Sequence, residues 1–239
     1  MKVLVTGGAG FIGSHIADAL LERGYKVRLL ANLEPRIHPR GCPTYLNDSA
    51  HLLKGDTRDR AAVESALDGA DVVFHMADYR GYWPDYAKFF HSNVVSTALL
   101  FEVIREKRLP VHKVVIASSQ AVYGEGQYYC ALHGLVLPGP RASKQLDRGD
   151  WEIRCAECHG SLVPVLLREG RANPGSPYGI SKLAQEQAAF RLGKLLEIPV
   201  VALRYSNVQG PRQSFCDGFF RDLPNLYARV ASGRGAHNF

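Results

Sequence analysis

Three groups of residues in this sequence have the types and spacing that chemistry needs. The first is a glycine turn, Gly7-Gly8-Ala9-Gly10-Phe11-Ile12-Gly13, directly after the apolar run Lys2–Thr6. Glycines spaced this way permit a tight turn, close approach of backbone to a pyrophosphate, and close helix–strand packing. The second is Tyr178 and Lys182, which share a face if their segment is helical. A free tyrosine titrates near ~10, and bringing it to about 7 takes roughly 4 kcal/mol of extra stabilisation of the phenolate. A lysine ammonium at close range supplies stabilisation of that kind.

The third group is Cys130-Ala131-Leu132-His133-Gly134 together with Cys155-Ala156-Glu157-Cys158-His159-Gly160. Each pair has two residues between candidate ligands and a glycine shortly after, as zinc knuckles require for their tight turns. Cys130, His133, Cys155 and Cys158 would close a tetrahedral structural zinc site. His159 competes with His133 for the fourth place, and the paired spacing favours His133. A closed site leaves no open coordination position, so no catalytic part is expected of the metal.

These residues need elements to hold them. Lys2–Thr6 reads as a strand, and Ser14–Arg23 as a helix with Ile16, Ala19 and Leu20 on one face. Gly24 stops that helix and Lys26–Leu30 restarts a strand. Strand, glycine turn, helix, strand is the context in which a glycine pattern predicts dinucleotide binding, with the phosphates at the helix N-terminus. An acidic residue is expected at the end of the second strand, where it holds the adenosine ribose. The strand ends instead in Ala31-Asn32, with Glu34 two positions on, so Asn32 or Glu34 takes over that contact. Arg28 or Arg36 would suit a 2′-phosphate. NAD is therefore preferred, with NADP left open.

The alternation continues along the chain. Leu52–Gly55, Asp71–His75, Lys113–Ala117 and Val200–Arg204 read as strands. Asp59–Leu67, Asp85–Arg105 and Tyr178–Leu196 read as helices. Apolar strands alternating with helices predict an α/β fold, a doubly wound parallel (Rossmann) sheet.

Bulk properties narrow the partners. The chain has 239 residues, 46% of them hydrophobic and 22% charged, with a formal charge of +6. Its Lys and Arg residues are scattered, with no dense basic run interleaved with aromatics, so nucleic acid is not the expected partner. An anionic nucleotide diphosphate suits a mildly basic surface equally well. No apolar run is long enough to cross a membrane, and Met1–Thr6 lacks a basic n-region. A cytoplasmic location is expected. In that compartment, clustered cysteines point to metal before disulfide.

Seven pieces together resemble the nucleotide-sugar epimerase/dehydratase group of extended short-chain dehydrogenases. They are TGGAGFIGS at Thr6–Ser14, GDTRD at Gly55–Asp59, HMAD at His75–Asp78, NVVST at Asn93–Thr97, ASSQAVYG at Ala117–Gly124, YGISK at Tyr178–Lys182 and RYSNVQGP at Arg204–Pro211. The resemblance implies that Gly7, Gly10, Phe11, Ile12 and Gly13 line the cofactor phosphates. It places Asp56 and Thr57 by the adenine, Met76 and Ala77 beside the nicotinamide ribose, and Asn93 among the cofactor-binding residues. Asp78 stands where the family often has a small residue. Ser119 would hydrogen-bond the sugar hydroxyl being oxidised, Tyr178 would be the acid/base, and Lys182 would grip the nicotinamide ribose. Asn207 would approach the substrate phosphates. The positive nicotinamide ring would add to Lys182 in favouring the phenolate.

Related dehydratases carry an Asp-Glu pair after the serine, and decarboxylases a Glu; here Gln120 and Ala121 offer no carboxyl group. The implied activity is therefore NAD-dependent epimerisation of a nucleotide-diphosphate sugar, at C4, through a transient keto sugar. The alternatives are a catalytically silent NAD(P)-binding protein and a nucleotide-sugar reductase or dehydratase. The domain expected is a Rossmann unit over 1–214, interrupted at 125–171 by a zinc-ribbon-like insertion. Insertions of this kind resemble a bacterial subgroup acting on UDP-glucuronate or dTDP-rhamnose. Residues 215–239, with one expected helix over Leu223–Ala231, are too few for the family's smaller substrate lobe, so a truncated member with exposed apolar surface and poor substrate affinity is expected. The family resemblance also implies a homodimer through the Asp85–Arg105 and Tyr178–Leu196 helices.

Overall fold

The structure is a computed structural model, and it describes residues 1–80 and 84–213. The expected tail helix over Leu223–Ala231 lies outside the described residues.

Five of the parallel strands follow the alternation read from sequence. They are β1 (Lys2–Thr6), β2 (Lys26–Ala31), β3 (His51–Lys54), β4 (Val72–His75) and β5 (Lys113–Ser119). The helices α1 (Phe11–Glu22) and α2 (Arg60–Leu67) form two of the crossovers. On β1, Val3 and Val5 face one side of the sheet and Leu4 the other, and all three are buried. A strand buried on both faces must carry apolar residues at successive positions, which is why β1 does not alternate.

A single helical run follows β4, made of α3 (Tyr86–Phe90), a π-helical turn (His91–Val95) and α4 (Ser96–Glu106). The sequence predicts one uninterrupted α-helix here. The π turn is the difference, and it holds Asn93. The last helix among the described residues, α6 (Pro177–Leu195), starts on a Ser176 side chain that accepts from the Gly179 N–H at 3.1 Å, with Pro177 in the first turn. Its chain continues into β9 (Val200–Tyr205).

The sheet order is β3-β2-β1-β4-β5-β9. Every pairing is parallel, and Thr6 lies opposite both Leu30 and His75. The carboxyl ends of β1, β2 and β4 therefore finish at one edge. Strand order reverses between β1 and β4, and that crevice is where doubly wound sheets bind ligands.

Between β5 and α6 the chain makes an excursion with its own small antiparallel sheet. It contains β6 (Gln127–Cys130), β7 (Gly134–Val136), α5 (Ser143–Leu146) and β8 (Val163–Val165), in strand order β7-β6-β8. The sequence predicts an insertion here but not these strands, whose runs are too short for a period to show. No described helix is long and apolar enough to cross a membrane.

Candidate active site

The glycine turn closes the carboxyl end of β1. Gly7 has φ +64°, and a Cβ on it would lie 2.8 Å from the Ala77 backbone nitrogen. A Cβ on Gly13 would lie 2.3 Å from the Gly7 carbonyl oxygen. The turn and the β4 exit can approach this closely only without side chains. Gly10 caps α1 with no side-chain hydrogen bond, so the first N–H groups of a three-turn helix remain available to an anion. Such a cradle fits a pyrophosphate.

The turn opens into a cavity of about 1010 Å³ that is also lined by Asp56, Ala77, Ser119 and Asn207. At its adenosine end, the Asn32 side-chain amide donates to Asp56 Oδ2 at 3.0 Å. Arg58 holds the same carboxylate through two bonds of 2.8 Å, and that contact, more than Asn32, brings Asp56 down to about 2. Asp56 is thus a fixed anion beside the second strand, where Ala31 cannot be one. Arg28 turns away from this site. Its guanidinium donates to the carbonyls of Ser65, Ala66 and Asp68 at the end of α2. Arg36 does line the cavity.

Ser119 and Tyr178 face each other across the far end of the cavity. Ser119 ends β5 and caps the following 3₁₀ turn, its Oγ accepting from the Ala121 N–H at 3.1 Å. Tyr178 Oη donates to Asp78 Oδ2 at 3.0 Å, and Lys182 Nζ lies 3.3 Å from the other oxygen of that carboxylate. Lys182 is fully buried, and an ion pair is what makes a buried ammonium tolerable.

The expectation that Lys182 lowers the Tyr178 phenol is countered by burial and by Asp78. Burial, then the Asp78 charge and hydrogen bond, hold Tyr178 well above its ordinary value; a hydrogen bond with Ser119 opposes this only in part. Asp78 faces both residues and offsets the ammonium.

Asn93 is not brought to the cavity wall. Its Oδ1 accepts from the Tyr79 N–H at 2.8 Å, and its Nδ2 donates to the Tyr79 carbonyl and to Ser181 Oγ, both at 3.0 Å. The π turn thus aims Asn93 at the loop after β4 and ties that loop to α6. Gly7, Gly10, Phe11, Ile12, Gly13, Asn32, Thr57 and Met76 all line the cavity.

The profile of the NAD dependent epimerase/dehydratase family matches residues 3–133 and 164–236. The chain belongs to that family. Among curated relatives it is 32% identical over 236 residues to a dTDP-L-rhamnose 4-epimerase of Burkholderia thailandensis, covering 96% of this chain and 64% of that one. A UDP-glucose 4-epimerase of Thermus thermophilus, solved with NAD, superposes with a TM-score of 0.71 at 31% identity, over 99% of this chain and 64% of the other. A UDP-glucuronic acid 4-epimerase of Bacillus cereus, also with NAD, gives 0.67 at 28% identity, over 98% and 63%. The chain therefore spans just under two thirds of the length of the relatives it matches.

Within this epimerase/dehydratase chain, residues 134–163 fall outside the family match. The chain enters and leaves that insertion along one path, since the Asn173 N–H donates to the Val122 carbonyl at 3.0 Å. Gly124, at φ +63°, lies so close to the Asn173 carbonyl that a Cβ would overlap it. Two features of the site escaped sequence reading. Arg58 holds Asp56 from two residues away, and the arginine within GDTRD gives no sign in the sequence of which way it turns. Asp78 stands out only as a departure from the family's small residue.

Proposed function

We propose that this chain is the cofactor-binding body of an NAD-dependent nucleotide-sugar epimerase acting at C4. The observation that carries this reading is that Ser119 and Tyr178 line the same cavity as the uncapped glycine turn, with the buried Lys182 ammonium joined to Tyr178 through the Asp78 carboxylate. Bound NAD supplies a hydride acceptor and, once the keto sugar has turned over, a hydride donor. Ser119 holds the reacting hydroxyl. Tyr178 takes its proton and later returns it. Lys182 would hold the ribose of a bound NAD and would support the phenolate through its charge. Gln120, whose side chain accepts from Ser206 Oγ at 2.7 Å, and Ala121 bring no carboxyl group for eliminating water.

NAD is preferred over NADP because Asp56 is a fixed carboxylate at the adenosine end. Asn207 lines the same cavity, and in this reading it approaches the substrate diphosphate. The substrate is a UDP- or dTDP-linked hexose, the class named for the relatives above. A homodimer is part of the reading. Its support is exposed apolar side chains on the two helices expected to pair, among them Val95, Ile180 and Phe190 at 49%, 46% and 45% exposed. A cytoplasmic site of action suits a nucleotide-sugar substrate.

A second reading, a silent NAD-binding protein, draws on Asp78, which favours a protonated Tyr178. One experiment separates them. Dinucleotide released on denaturing the purified protein is quantified, and UDP-glucose, UDP-glucuronate and dTDP-rhamnose are then offered. Bound NAD with interconversion at C4 supports the epimerase, and bound NAD with no turnover of any sugar supports the silent protein. Net oxidation or reduction of added cofactor would point to a reductase instead.

A further inference from the structure

From Gly124 to Ser176, the chain buries only two side chains, Cys130 and Cys155, at 2% and 3% exposed. Its large apolar residues face outward: Leu166 is 97% exposed, Leu132 77% and Trp151 63%. Three short strands without an apolar face to bury do not hold together by themselves. Something other than a hydrophobic core must organise them.

The ligand atoms of Cys130, His133, Cys155 and Cys158 all lie within 4.8 Å of one another. Cys130 Sγ is 3.6 Å from Cys158 Sγ and 3.5 Å from His133 Nδ1, and Cys155 Sγ is 3.3 Å from the same nitrogen. A tetrahedral zinc, with bonds of about 2.3 Å to sulfur and about 2.0–2.1 Å to nitrogen, makes edges of roughly 3.8 Å between sulfurs and roughly 3.5 Å between sulfur and nitrogen. A disulfide needs sulfurs about 2.05 Å apart, and these cysteines are free.

Two independent features agree. His133 Nε2 lies 3.4 Å from Glu157 Oε2, so a carboxylate faces the ring nitrogen that a metal on Nδ1 would leave protonated. That is the outer-shell partner a zinc-bound histidine usually has. Each ligand pair also sits in a closed turn. Cys130 is paired with Gly134 across the β6–β7 hairpin, and the Cys155 N–H donates to the Gly160 carbonyl at 3.0 Å. His159 stands in the second turn at φ +56° and is not part of the cluster.

We propose that Cys130, His133 through Nδ1, Cys155 and Cys158 bind one structural zinc that serves as the core of the insertion and fixes one edge of the cleft. Glu125 and Gly126 line the cavity and lead directly into β6. Arg141 holds the Glu125 carboxylate at 3.3 Å and donates to the Trp151 carbonyl at 2.9 Å. The metal thereby steadies the far wall of the cleft and leaves the glycine turn untouched. This assignment does not depend on the chain turning over any sugar.

The test uses the full chain, purified without chelator. About one zinc per chain is expected, and exchange with cobalt(II) should produce a thiolate-to-metal charge-transfer band. Chelation should raise hydrogen exchange across residues 124–176 while β1 to β5 stay protected. A Cys158→Ala variant should lose zinc and keep its dinucleotide, which shows that the Rossmann body still folds. Absence of zinc after incubation with the metal, a Cys130–Cys158 disulfide by mass, or bound iron in place of zinc would each overturn the proposal. So would unchanged exchange after zinc has left.

Discussion

The Asp78 carboxylate bridges Tyr178 and Lys182, with one oxygen 3.0 Å from the phenol and the other 3.3 Å from the ammonium. Tyr178 lines the cleft and Lys182 lies buried, and an acid from the loop after β4 stands against both. Removing that charge should lower the Tyr178 pKa, because Asp78 acts on it through both charge and hydrogen bond. Asp78→Asn is expected to move the acid limb of the pH–rate profile to lower pH by about one unit, equivalent to roughly 1.4 kcal/mol. Ultraviolet titration of the phenolate in the NAD-loaded protein checks the same shift without turnover.

Tyr178→Phe removes the proton carrier and leaves the ring that packs near Phe89 at 6.2 Å between centroids. Turnover should fall by roughly 10²–10⁴-fold with dinucleotide content unchanged. If the variant retained full activity, another group would have to carry the proton.

Stability has its own buried charge pair. Arg204 donates to both carboxylate oxygens of Glu186, at 2.9 and 2.7 Å, and Ser118 donates to the same carboxylate. The side chains are 16% and 4% exposed. Glu186→Ala leaves the guanidinium without its partner and should cost about 3–5 kcal/mol in denaturant unfolding. Glu186→Gln should cost less, because Ser118 and Arg204 keep an oxygen to donate to.

His75 should make folding sensitive to mild acid. Thr97 Oγ1 donates to the Asn93 carbonyl at 2.7 Å, so at its 3.0 Å contact with His75 Nε2 the ring nitrogen must be the donor. Nδ1 then accepts from Thr6 at 2.8 Å, and the ring is neutral. Burial, followed by the Lys182 charge, lowers His75 from 6.5 to about 3. The folded value lies below the unfolded one, so His75's contribution is fully present above pH 6.5 and is lost as pH falls toward 3. Unfolding free energy should decline across that window with a slope approaching about 1.4 kcal/mol per pH unit. His75→Gln should flatten the slope between about pH 6 and 4. Asp56 acts in the same direction only at lower pH, between 3.8 and about 2.

The sequence alone carried what depends on local spacing. The glycine turn, the strand–helix alternation, Tyr178 four residues from Lys182, and the two cysteine-bearing pairs are all readable because period and turn chemistry act over a few residues. Tertiary structure decided what depends on distant residues meeting. Asp78 reaches Tyr178 from 100 positions away and Lys182 from 104, so the charge acting on the phenol is set by how the loop after β4 lies against α6. Asn93 reads as a cofactor ligand until the π turn commits both ends of its amide to Tyr79 and Ser181. Arg28 reads as a phosphate binder until it is seen closing the end of α2. A side chain's charge and length are written in the sequence, but its partner is chosen by whichever buried polar group the fold leaves to be satisfied.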